Sequence, residues 1–186
     1  PGVTVKFDSG KALLIDGTLV AQGTSGSKIT FTSSAASPAA GNWSYIKFQD
    51  SSVDASFDGN GDYLSGSVLE HCVVAYGGAS TAAVWSSNAS PTILNCSVED
   101  SGSKGMYLAA DEVSIKVANN TVTCSASGGI QCGSNSAVCE IRGNTITDNY
   151  SWGVSTGPGE VVIDSNTILN HHDSDGMGAG VILGGG

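Results

Sequence analysis

Positive charge is what this chain has least of. Its 186 residues include a single arginine, Arg142, and only 7 cationic side chains in all against 17 acidic ones, for a formal net charge of −10. So few cations cannot neutralise a row of phosphates, which excludes nucleic acid as a partner. An acidic, lysine-poor surface also repels polyanions unless a divalent cation bridges them. Charged residues of both signs reach only 13%, yet no stretch approaches the roughly 20 consecutive apolar residues of a membrane span. Helix periodicity is missing too, since no apolar i, i+3, i+4, i+7 run exceeds one turn. Five cysteines are an odd count, scattered rather than arranged as a small disulfide framework.

What the chain does have is a repeat. Cys72, Cys96, Asn120, Asn144 and Asn166 follow one another at gaps of 24, 24, 24 and 22. Two residues after each stands Val74, Val98, Val122, Ile146 or Ile168, and three residues before each stands Leu69, Ile93, Val117, Ile141 or Ile163. A period in the low twenties marks a solenoid whose repeats bury their apolar faces by stacking on neighbours. Each repeat divides into three short strands. The first turns Ala82 and Val84, Met106 and Leu108, Ile130 and Cys132, Val154 and Thr156 inward, with Ala83, Tyr107, Gln131 and Ser155 pointing out. Three strands in about two dozen residues leave no room for a crossover helix, so the chain must wind as a parallel coil with turns about 4.8 Å apart. Asn at the recurring position suits a tight bend, because it tolerates left-handed backbone and its amide can bond the Asn one turn away. Cys72 and Cys96 fill the same slot and read as free, packed thiols. Cys132 and Cys139 both point inward at adjoining strand ends, so a disulfide between them is a question of geometry; Cys124 is expected at an exposed corner.

Upstream, Val3, Val5 and Phe7, Leu13 and Ile15, Ile29 and Phe31, and Ile46 and Phe48 alternate as strands do. Matching Ile46 to Ala82 leaves a surplus of residues between Phe48 and Ser67, which marks an inserted loop at about 49–63; the polar stretch 33–42 reads as a second bulge, with Trp43 packed beneath it. Insertions in solenoids tend to mark a functional face. The whole of 1–186 reads as one domain of roughly seven turns. It starts in mid-strand and ends in three glycines, so it is expected to be a piece of a longer, secreted protein with ends open to end-to-end self-association.

The segments NNTVT (119–123), RGNTITDN (142–149) and DSNTILN (164–170), each followed by a strand such as GGIQC or WGVST, resemble the right-handed parallel β-helix repeat family. PGVTVKF, DGTLVAQGTSGSKITFTS and GNWSYIKF look like the repeats that open many bacterial extracellular members. The resemblance covers nearly the whole chain. It implies an all-β, right-handed parallel β-helix of three strands per turn, a secreted or cell-surface location, and a long face suited to extended polysaccharides. It does not select among lyases, hydrolases, epimerases, tailspikes and plain surface modules.

Family lyases use an Arg or Lys base, usually with calcium, but Arg142 stands alone in sequence and Lys6, Lys11, Lys28, Lys47, Lys104 and Lys116 form no cluster. Hydrolysis needs converging carboxylates; Glu140, Asp148 and Asp164 are the nearest approach to such a set. Asp58, Asn60 and Asp62 alternate with glycine like the first half of a calcium loop, with Asp54 and Asp50 nearby, although Leu69 stands where an EF-hand needs Glu and the pentad also reads as a simple turn. No other cofactor is suggested. His171, His172, Asp173 and Asp175 form a second polar concentration, and adjacent strand histidines point to opposite faces. Tyr45, Trp85 and Tyr107 face outward on the first strand, where exposed aromatics can stack on sugar rings. Thr121 and Thr123, Thr145 and Thr147, and Thr167 project outward in register, interrupted by Glu99 and Leu169. Such a hydroxyl ladder on a flat solenoid face suits ice. The expectation is therefore a non-catalytic extracellular module contacting a polysaccharide or cell-surface glycan through Tyr45, Trp85 and Tyr107. A polysaccharide lyase or related carbohydrate-active domain is the first alternative, and ice binding through the Thr ladder the second.

Overall fold

The computed structural model describes residues 1–110, 113–134 and 138–184, and among them every regular element is a strand. The first turn lays down β1 (Thr4–Phe7), β2 (Leu13–Ile15) and β3 (Val20–Gln22). The second adds β4 (Ile29–Ser33), β5 (Ile46–Phe48), a hairpin of β6 (Ser56–Phe57) and β7 (Tyr63–Ser65), and β8 (Val68–Glu70). The third has β9 (Cys72–Ala75), β10 (Ala82–Ser87) and β11 (Thr92–Leu94); the fourth β12 (Ser97–Glu99), β13 (Lys104–Ala110) and β14 (Ile115–Ala118). The fifth has β15 (Thr121–Thr123), β16 (Gly128–Ser134) and β17 (Val138–Arg142); the sixth β18 (Thr145–Thr147), β19 (Trp152–Thr156) and β20 (Glu160–Asp164). β21 (Thr167–Leu169) and β22 (Ala179–Leu183) belong to the seventh.

Like strands stack on like. Sheet A is β1-β4-β9-β12-β15-β18-β21, sheet B is β2-β5-β10-β13-β16-β19-β22, and sheet C is β3-β8-β11-β14-β17-β20, all parallel. Inside, aliphatic residues stack in columns along the axis: Val74, Val98, Val122 and Ile146 from sheet A, Leu69, Ile93, Val117 and Ile141 from sheet C, and Val84, Met106, Ile130 and Val154 from sheet B are all fully buried. Each such side chain contributes about 1.5–3 kcal/mol when it leaves water, and only the neighbouring turns make that burial possible. At the upper end Trp43 joins this core, stacked on Phe7 at 4.3 Å between centroids, with its indole N–H donating to the Ala75 carbonyl at 2.8 Å. Cys132 and Cys139 are both buried and joined in a disulfide across the corner between sheets B and C; Cys72 and Cys96 are buried free thiols and Cys124 is an exposed one.

Three local expectations need correction. Met106 pairs with Val84, not Ala82, and Ile46 likewise faces Val84. Ala83 points inward rather than out and is fully buried. Where the chain turns from sheet A into sheet B, two consecutive residues face the core, as Gly105 and Met106, Gly129 and Ile130, and Gly153 and Val154 also do. The first of each pair must be small: a Cβ on Gly105 would lie 2.5 Å from Val122 Cγ1 and one on Gly129 2.7 Å from Ile146 Cγ2, so the next turn's β-branched residue fills that space. Finally, the left-handed residue of the bend is not the ladder residue but the one before it. His71, Asn95, Asn119, Gly143 and Ser165 have positive φ, and so do Tyr76, Asp100, Cys124, Asp148 and Asn170 at the next corner. The ladder position is freed for hydrogen bonding.

Candidate functional site

The recurring polar positions form a buried chain of hydrogen bonds between sheets C and A. Asn166 Oδ1 accepts from the backbone and side-chain amides of Asn144 at 2.8 and 2.9 Å. Asn144 Oδ1 accepts from those of Asn120 at 2.9 and 3.0 Å, and Asn120 Oδ1 from the Cys96 backbone at 2.8 Å. Each Asn amide also donates to the carbonyl of the aliphatic residue in the turn above, Ile93, Val117 or Ile141. The thiols continue the pattern: Cys96 Sγ accepts from the Cys72 amide and donates to the Leu69 carbonyl, both at 3.4 Å. Contact with Cys72, together with burial, pushes the Cys96 thiol well above its ordinary range. Cys72, Cys96, Asn120 and Asn144 are buried, and Asn166 is half-buried at the lower end of the ladder.

The exposed candidates lie elsewhere. Asp58, Asn60 and Asp62 sit at the tip of the β6–β7 hairpin, where Asp58 Oδ1 accepts from the Asn60 and Asp62 amides at 2.8 and 2.9 Å. Those two bonds, Asp62 first, hold the Asp58 carboxyl below the usual carboxylate range. Lys116 anchors the tip, donating to the Gly61 carbonyl at 2.6 Å and lying over Phe57. Between hairpin and sheet C is a cleft of about 340 Å³ lined by Phe57, Lys116, Glu140 and Arg142 among others. Arg142 is paired with Glu140 at 3.2 Å and Asp164 at 2.8 Å, whereas Asp148 lies at the other corner, after sheet A. Asp173 caps its own turn through the Asp175 and Met177 amides, His171 Nδ1 faces the Asn149 carbonyl at 3.3 Å, and His172 Nδ1 faces that of Asn170. Among the described residues no three His, Cys, Asp or Glu side chains come together as a metal site.

On the outer face of sheet A, Thr4, Thr30, Val73, Ser97, Thr121, Thr145 and Thr167 follow one another in register through all seven strands. The second column runs Glu99, Thr123, Thr147 and Leu169 at its lower end. The first column is thus longer than the spacing alone revealed, because the 33–42 and 49–63 insertions hide the upstream members.

The outer face of sheet B gathers the aromatics. Lys47, Trp85, Tyr107, Gln131 and Ser155 form one column in register. Tyr45 meets Trp85 edge-on at 5.3 Å between centroids, and Trp85 and Tyr107 are 6.5 Å apart and tilted by 32°. Lys47 Nζ lies 3.8 Å from the Trp85 ring centroid, a cation–π contact that orients the indole. Beside Lys47 opens a pocket of about 330 Å³ lined by Asp16, Lys47, Gln49, Asp50, Ser51 and Ser87. Asp16 Oδ1 is fixed there by Gln49 Nε2 at 2.7 Å and Ser51 Oγ at 2.8 Å. This pocket escapes sequence reasoning because its residues come from three turns; the usable signal is that Asp16, Gln49 and Ser87 each follow the inward residue that ends a sheet-B register, Ile15, Phe48 and Ser86.

A family model described as a right-handed beta helix region matches residues 16–185. Comparison with the curated proteins and with the solved structures finds no match.

Proposed function

The chain belongs to the right-handed β-helix family, and we propose that it serves as a non-catalytic module of an extracellular or cell-surface protein that contacts carbohydrate through Tyr45, Trp85 and Tyr107. One observation carries this reading: three aromatic residues from three successive turns lie in sequence on an outer sheet face, Tyr45 paired with Trp85 and Trp85 with Tyr107. Rings paired in this way present apolar surface at little further entropic cost, and a polar pocket at the same edge supplies partners for hydroxyls. A lyase reading draws no comparable support, because the single Arg is held between two carboxylates rather than left as a free base. The test is retention on chitin, cellulose, xylan and peptidoglycan, measured with and without CaCl₂ and with EDTA as control. Trp85→Ala and Tyr107→Ala should each weaken binding about tenfold, as loss of a stacking anchor does; retention unchanged by both would reject the aromatic site. Calcium dependence abolished by Asp58→Ala would add a bridging cation at Asp58, Asn60 and Asp62.

A second reading rests on the sheet-A column. Five threonines and a serine fill six of the column's seven places at strand spacing on a parallel sheet, with Val73 the one interruption, and so present hydroxyls and methyls at the regular interval an ice plane requires. Thermal hysteresis lost in Thr145→Tyr would support it, and the absence of hysteresis in the unaltered protein would dismiss it.

A further inference from the structure

Resting on the carbohydrate reading, we propose that the ligand is an uncharged glycan chain lying parallel to the coil axis on sheet B, with one end in the pocket at Asp16, Gln49 and Asp50.

The direction follows from where the parts sit. The pocket takes residues from the first three turns, and the aromatics come from the second, third and fourth. Asp16, Gln49 and Ser87 each stand two residues along the strand from the register column of Leu14, Lys47 and Trp85, and Lys47 joins pocket and platform by lining the one while lying over Trp85. Below the pocket, the register position of Ser87 continues as Ala109 and Gly133. The nearest atoms a Cβ on Gly133 would meet belong to Gly157, which follows in the same column and itself lacks a side chain. Next to the bulky column of Trp85, Tyr107 and Gln131 thus runs a column of small residues, Ser87, Ala109 and Gly133, a shallow trough walled on one side by aromatic rings. A chain lying in it crosses strands about every 4.8 Å and meets a ring edge at successive turns.

The charge of the ligand follows from the pocket. Asp16 is locked as an acceptor by Gln49 and Ser51, Asp50 stands beside it, and the one cation is turned onto the indole. Carboxylates held in this way accept from sugar hydroxyls and repel uronates and sulfated sugars. A molecule of net charge −10 adds to that repulsion.

Calorimetric titration of the full chain with neutral xylo-, cello- and chito-oligosaccharides of increasing length, against oligogalacturonate, tests both points. The expected result is binding of a neutral series that tightens with length, weakened tenfold or more by Trp85→Ala and also by Ala109→Gln or Ser87→Gln, either of which fills the trough. Unchanged thermal melting of both Gln variants shows that they are folded. If Trp85→Ala weakens binding and neither folded trough variant does, the carbohydrate reading stands and the axial placement is wrong. Preference for oligogalacturonate overturns the uncharged ligand. Binding of no glycan at all removes both readings together.

Discussion

Replacing Asn144 by alanine should be among the most damaging substitutions available in this chain. The side chain is 1% exposed and makes four hydrogen bonds: it accepts from the Asn120 backbone and side-chain amides and donates to the Val117 carbonyl and to Asn166 Oδ1. Alanine leaves the Asn120 backbone amide without its acceptor and takes the amide donor from Val117, in a slot sealed from water. A buried polar group stripped of its partner costs about 1–3 kcal/mol, so the two together amount to about 2–6 kcal/mol. That is a large share of the roughly 5–15 kcal/mol that holds a typical domain together. The chain also contains its own control. Cys96 occupies the same slot, accepting from the amide above and donating to the Leu69 carbonyl through sulfur. Asn144→Cys should restore both kinds of contact in weaker form and cost only about 1–2 kcal/mol. Guanidinium unfolding followed by tryptophan fluorescence and far-UV circular dichroism measures both. The reasoning fails if alanine costs less than about 1 kcal/mol, the ordinary net value of one hydrogen bond, or if cysteine is no better than alanine.

Breaking the Cys132–Cys139 disulfide, which closes a short loop at a sequence separation of 7, should lower unfolding free energy by about 2–3 kcal/mol on the chain-entropy account; a matched pair of melts with and without reductant, or Cys132→Ser with Cys139→Ser, gives the value. Gly129→Ala should cost about 1–3 kcal/mol by overpacking, since its Cβ would meet Ile146 Cγ2 at 2.7 Å and the Gly153 carbonyl as well; a neutral outcome in thermal melting would mean that the corner relaxes freely. Asp58 should titrate below an ordinary aspartate in a carboxyl NMR titration, because the Asp62 and Asn60 amides favour its charged form. Its support of the hairpin tip is present above the ordinary carboxylate range and is lost as pH falls through the lowered value. Asp58→Asn should erase that pH dependence, and a midpoint at the ordinary value would contradict the turn geometry.

Much of the fold is legible in the sequence because stacking is a local rule repeated. Each turn buries the same register positions, so Val74, Val98, Val122 and Ile146 declare themselves by spacing alone, and a glycine-rich, helix-free composition leaves little else to build. The bends are less legible. Left-handed backbone at Tyr76, Cys124 and Ser165 is imposed by the corner against the preference of those residues, so no propensity marks it. Ala83 escapes for a related reason: strict alternation assumes a straight strand, and the chain there is still turning.

The proposed binding face is harder to read than the core because the two depend on register differently. A slip of two residues preserves which side chains point in and which point out, since strands have a period of two. It does change which residues are axial neighbours. Matching Ala82 to Met106 would set Tyr107 beside Ala83 and Trp85 beside Ala109, scattering the aromatics. Pairing Val84 with Met106 instead sets Trp85 directly against Tyr107 and Lys47. The core is indifferent to that choice and therefore predictable from hydrophobic pattern. The platform exists only in one register, which is selected by the small-residue corner at Ala83, Gly105 and Gly129 and by the turn that carries the hairpin. Substitutions at that corner should consequently disturb ligand binding on sheet B while touching no residue of the site, through the same two-residue freedom that leaves the buried columns intact.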